Sequence, residues 1–192
     1  MPVISKGKKR TLTLRQQKGR AVNAVAEVLR KKLSVPNIYL EPHFHFPAAD
    51  VLAVDRAGSG DLHAVRIKLE AEIVRKHASA ALDSRRWMRL DAKMMMKTMN
   101  QQLMRMAAHY RYLAIPGDIW DALKEEPEVS SYSSDGIGRI GIISITDQRE
   151  GLPSAEIVVT PERFRVDGAQ LSKIEKNLIN NKKVRPDIEV RI

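Results

Sequence analysis

The stretch Asp50–Glu70, DVLAVDRAGSGDLHAVRIKLE, decides how the chain is read. Asp50–Asp55 is a short apolar run of the kind that forms a buried strand. Arg56–Gly60 (RAGSG) has the composition of a turn. From Leu62 to Glu70 the polarity alternates. His63, Val65, Ile67 and Leu69 face one way, and Ala64, Arg66, Lys68 and Glu70 face the other. Two strands and a tight turn make an antiparallel hairpin, with three charges side by side on one face of its second arm. The plain reading is an ion-pair ladder on a solvated sheet face.

Working outward, Val22, Val25, Ala26, Leu29 and Leu33 recur at helical spacing, with Ala21 and Val28 widening the stripe. This predicts a helix over 14–33 whose cations (Arg15, Lys18, Arg20, Lys31) fall mostly on the outer surface, with Pro36 ending the region. Ile38–Phe46 (IYLEPHFHF) is strand-like, and Pro42 requires an edge or a bulge there. Downstream, helical composition predicts pieces over 71–82 and 85–110, with Asp83 or Ser84 as a cap. Strands are predicted at 112–115, 137–146 and 155–159, helices at 118–125 and 168–181, and a short strand at 189–192. The first three strands, joined by short turns, are antiparallel neighbours. The strand after the long helix returns parallel by a crossover. The fold class is therefore α/β (α+β), a mixed central sheet flanked by helices.

The chain has 192 residues and a formal net charge of +10. Its length predicts one domain, 13–192, behind a basic, disordered arm, 1–12. Residues 1–33 carry ten Lys or Arg against one acid, Glu27. A field of this sign and clustering favours a polyanion, because basic arms neutralise phosphates and release counterions. Lys8, Lys9, Arg10, Arg15, Lys18 and Arg20 are the expected nucleic-acid contacts. The chain has no cysteine, which excludes disulfides, thiolate metal sites and a cysteine nucleophile, and fits a reducing cytoplasm. No apolar run approaches the ~20 residues that span a membrane, and the basic N-terminus lacks the apolar segment of a secretory signal.

The hairpin resembles the active-site region of the PD-(D/E)xK, or restriction-endonuclease-like, nucleases. Pro47–Asp50 (PAAD) stands where that family has its Pro-Asp, and Lys68 stands where it has its lysine. The segment MNQQLMRMAAHYRYLAIP resembles the family's passage from helix to strand. With GIGRIGIISIT the resemblance covers roughly residues 38–146. It implies a restriction-endonuclease-like core acting on DNA with Mg²⁺. Asp50 would be a metal ligand, Lys68 would assist the attacking water, and Gln101 or Gln102 would support the site from the helix. The chain departs from the motif at one place: Arg66 occupies the position of the second acid. A hard cation needs oxygen ligands, and an arginine repels it. Three outcomes are open. The acid has moved to Glu70 on the same strand face, it has moved to Glu72, or the site is inactive, with Arg66 and Lys68 binding phosphate without cleaving it.

Two function classes follow: a Mg²⁺-dependent nuclease with Asp50, Lys68 and Glu70 as its catalytic groups, or a nucleic-acid or protein-binding module without catalysis. The other candidates read blandly. His43 and His45, with Glu41 nearby, suit sheet-edge histidines better than a metal cluster. His63 is a packing histidine, and His77 and His109 fall on helices without a partner at ligand spacing. All seven internal methionines lie between Met88 and Met106, which fits core packing or a homodimer through that helix. Gly136, Gly138 and Gly141 lead into a β-branched strand, not a helix, so they do not form a dinucleotide loop.

Overall fold

The computed structural model describes residues 13–33, 36–41, 49–55, 60–69, 97–124, 140–146, 153–180 and 185–186. Helix α1 spans Leu14–Lys32. Thr13 caps it in a reciprocal box with Gln16, which satisfies donors that the first turn leaves open. The chain then forms β1 (Pro36–Leu40), β2 (Val51–Asp55) and β3 (Leu62–Ile67). A helical segment at 97–104 (α2) precedes β4 (Tyr110–Pro116), α3 (Gly117–Leu123), β5 (Gly141–Thr146) and β6 (Ser154–Val159). Helix α4 (Gly168–Asn180) and a short β7 (Arg185–Pro186) follow.

The strands form one seven-stranded sheet in the order β6-β5-β4-β3-β2-β1-β7. β1, β2 and β3 are antiparallel neighbours, as the turn signals predict. β4 lies parallel to β3 and β5 parallel to β4, while β6 closes that edge antiparallel. A parallel pair needs a crossover, and the chain between β3 and β4 supplies one. The Gly60 turn works because glycine adopts a positive φ, here 73°, at no steric cost.

Strand alternation sends each side of the sheet into its own core. Val51, Ala53, Val65, Ile67, Tyr112, Ala114, Ile143 and Ile145 pack under the α1 stripe of Ala21, Val22, Val25, Ala26 and Leu29. Leu52, Val54, Ala64, Leu113, Ile115 and Ile142 face the other way. They pack with Met99 and Leu103 of α2, Ile119 and Leu123 of α3, and Ile174 and Leu178 of α4. Both faces are covered, so the central strands are apolar throughout and β2 reads as a run, not an alternation. Met99 and Met106 are buried in this second core, while Met104 is exposed.

Several boundaries differ from the sequence expectation. Pro36 opens β1, a position where a missing N–H is tolerated. The helix predicted to run to Tyr110 stops at 104, and Tyr110 already belongs to β4. The arm 1–12, the strand continuation through Phe46, the helix over 71–82 and the strand at 189–192 lie outside the described residues. So do Lys8, Lys9, Arg10, Glu70, Glu72, His43, His45 and His77.

One close approach is testable. Gly141 pairs with Tyr112, and a Cβ there would sit 2.6 Å from Tyr112 Cδ1 and 2.8 Å from Pro161 Cδ. Gly141→Ala is expected to lower the unfolding free energy by about 1–3 kcal/mol through overpacking, measured by urea denaturation.

Candidate nucleic-acid interface

Asp50 sits one residue before β2, at the end of the sheet where β3 and β4 finish. Its N–H donates to Val65 O at 2.8 Å, and its carbonyl accepts from Glu41 N–H at 2.7 Å. The β2–β3 register pairs Val51 with Val65, so the next step along the ladder brings Asp50 opposite Arg66. The side chain is 5% exposed, and a carboxylate buried that deeply needs partners. Oδ2 accepts the Ile67 N–H at 2.7 Å, with Arg66 Nη1 3.7 Å away. Oδ1 lies 2.7 Å from Lys18 Nζ. Lys18 comes from α1, so one carboxylate joins the helix to the hairpin.

This corrects the expected placement of Lys18 on the outer surface of its helix. The Lys18 side chain remains 42% exposed while it holds Asp50. Lys68 continues the ladder beyond β3, its N–H donating to Ala114 O at 2.9 Å. By alternation it falls on the Arg66 side of the strand. Arg15 is exposed near the start of α1, and Arg20 is half-buried. Gln101 is exposed and Gln102 half-buried on α2, and neither bonds to Asp50.

A divalent ion does not fit the described residues. Both Asp50 oxygens are engaged, one by an ammonium, and Mg²⁺ would need several oxygen ligands in place of those partners. Among the described residues no group of three or more His, Asp or Glu is placed to hold a metal.

Beside Lys18 lies a pocket of about 210 Å³. Gln17, Arg20 and Ala21 of α1 form one wall. Leu69 after β3, Pro116 at the end of β4, Ile145 of β5 and Pro153 before β6 form the rest. It opens at the carboxyl ends of the parallel strands, the usual place for a ligand in such a sheet.

A second polar cluster occupies the opposite end of the sheet. Arg163 binds Asp61 with both arms, Nε to Oδ2 at 3.0 Å and Nη2 to Oδ1 at 2.8 Å. His109 Nδ1 accepts the Leu62 N–H at 3.0 Å. That nitrogen therefore carries no proton to offer Asp61, 3.5 Å away, and burial holds the imidazole pKa below its ordinary value. His109 lies between α2 and β4, not on a helix as expected. His63 stacks on Tyr110 with ring centres 4.5 Å apart and meets the Tyr112 hydroxyl at 3.3 Å, which makes it a packing histidine. Burial lowers its pKa from 6.5 to about 4, despite the nearby Asp61 and Asp55. The buried Arg111 donates to the carbonyls of Ala108 and Met104 and lies 3.8 Å over the Phe164 ring. The Asp61–Arg163 pair has no local sequence signature, since the two residues are 102 apart.

Two outcomes are expected. Lys18→Met lowers the unfolding free energy by about 1–2 kcal/mol in the native chain and by far less when Asp50 is already Asn. Purely additive costs in urea titrations would show that the two groups do not interact. Second, the depressed folded pKa of His63 means that its neutral form contributes stability in full above pH 6.5. That stability is lost as pH falls from 6.5 to about 4, where the unfolded chain binds a proton that the folded chain refuses. The loss is about 3 kcal/mol. His63→Phe, which keeps the ring stack, is expected to flatten this part of the stability–pH curve.

Among the described residues no helix is long and apolar enough to cross a membrane. The sequence matches no family model and no curated protein. Among solved structures, the fold is similar to a protein of unknown function from Silicibacter pomeroyi. The two are 14% identical with a TM-score of 0.42, over 88% of this chain and 94% of that one.

Proposed function

We propose that this protein binds nucleic acid, DNA foremost, through phosphate contacts on a restriction-endonuclease-like core, and that it does so without a divalent ion. The observation that carries this reading is the pairing at Asp50. Where the resembling nucleases gather carboxylates around a metal, this chain gathers cations around one carboxylate. Lys18 and Arg66 both approach Asp50, so among the described residues two cations meet at one carboxylate. Such a centre attracts a phosphate, which accepts hydrogen bonds from ammonium and guanidinium groups. Lys68 on the same strand side, Arg15 and Arg20 on α1, and the basic arm extend the positive field around it.

Cleavage is the less supported alternative. It requires Glu70 or Glu72 to join Asp50 as metal ligands, with Lys18 displaced. The cationic centre performs binding without that rearrangement, and Lys68 serves equally well as a phosphate contact.

Fluorescence anisotropy with a labelled DNA duplex tests the reading. Affinity is expected to fall steeply with salt and to be unchanged by EDTA. Lys18→Ala and Arg66→Ala should each weaken binding and reduce the slope of log K against log salt by about 1. Deleting residues 1–12 should reduce affinity and leave α1 intact, because the helix and its Thr13 cap lie beyond the cut. Binding that ignores salt and both substitutions would overturn the proposal. So would strand cleavage with Mg²⁺ that is lost in Asp50→Ala.

A further inference from the structure

We infer that the pocket between α1 and the ends of β3, β4 and β5 receives one unstacked nucleobase of the bound strand. The substrate class would then be nucleic acid with an unpaired base, such as a single strand, a frayed end or a bulge, and not a continuous duplex. This rests on the nucleic-acid reading above and adds what that site selects.

The pocket's dimensions and lining point to a flat, largely apolar guest. Its volume is about 210 Å³, small for a drug-sized ligand and suited to a single ring system. Ala21, Leu69, Pro116, Ile145 and Pro153 supply apolar walls, and the polar lining is confined to Gln17 and Arg20 on α1. Ala21 and Ile145 are buried at 2% and 6% exposure, so the inner wall belongs to the packed core and is already formed. A pre-formed apolar wall gains from covering a π-face of any base, whatever its edge pattern. Arg20 adds a planar guanidinium, which stacks on a base or takes the phosphate beside it.

Location sets the guest's class. Gln17 precedes Lys18 on α1 and Ala21 follows it by one helical turn, and both line the pocket, so the pocket lies beside the Lys18 side of the pair with Asp50. A phosphate held at Lys18 and Arg66 places the neighbouring nucleoside within reach of the pocket. Arg15 and Arg20 continue the positive charge along α1 on either side of Lys18. A base stacked inside a duplex cannot enter. It must first leave the stack, and the cost is least where it is already unpaired.

The test uses the full-length protein and three duplexes of one sequence: fully paired, with one bulged nucleotide, and with the same bulge lacking its base. The bulge fixes the register, so no other base can slide into the pocket. The base-bearing bulge is expected to bind about tenfold tighter than the abasic bulge, and the abasic bulge about as tightly as the paired duplex. If both bulges bind equally, the base pocket is wrong and the phosphate reading stands. If none of the three binds, both are wrong. If a free mononucleotide competes as well as the bulged duplex does, the pocket is a small-molecule site and the inference is overturned.

Discussion

Asp50 is approached from three directions. Lys18 approaches from α1, the Ile67 N–H from β3, and Arg66 from the position opposite on the same hairpin. A carboxylate 5% exposed is tolerable only with such partners, and removing any of them leaves charge stranded in a poorly solvated place. The apolar stripe of α1 buries the helix against the sheet, but hydrophobic packing is non-directional and does not by itself set where along the strands the helix stops. The Lys18–Asp50 pair adds a directional contact that ties the start of α1 to the end of the β2–β3 hairpin.

The two ends of the sheet carry different polar clusters. At the Asp50 end, two cations share one anion, with more cations close by. At the other end, Asp61 is gripped by both arms of Arg163, and His63 and His109 are held neutral by burial. Lys32 lies at that end too, beside Asp55 and Asp61. The parallel strands β3, β4 and β5 end on the cationic side, where the loops of such sheets diverge and leave room for a ligand.

Much of the fold is readable from local pattern. The start of α1, the hairpin, β5, β6 and α4 follow from apolar period and turn residues, because those signals are contained within each segment. The end of α2 is not. The run MRMAAHY has good helix formers, and nothing local stops it. Arg111, several residues further on, donates to the carbonyls of Met104 and Ala108 and so replaces the bonds that another turn would have made. The site divides in the same way. Asp50 and Arg66 meet because strand register demands it, and a hairpin reading brings them together. Lys18 comes from a helix whose docking only the tertiary packing decides, and a lysine just off the apolar stripe reads as solvent-facing. Its long apolar stem makes the inward turn inexpensive.

An ammonium beside Asp50 is not a poor copy of a metal ion. Mg²⁺ demands near-octahedral oxygen ligation and gives up water reluctantly, so one carboxylate holds it weakly. Lysine carries three donors on a flexible stem and needs no second acid. One N–H on Asp50 Oδ1 leaves two more N–H groups on the same nitrogen, and the side chain is 42% exposed. Asp50 then acts as the anchor that aims the ammonium. Arg66 gains meaning at the same point. An arginine in the position of a second acid would expel a metal, yet beside Lys18 it adds a planar donor suited to two phosphate oxygens. The arginine that argues against catalysis is thus also the residue on which the proposed phosphate contact draws.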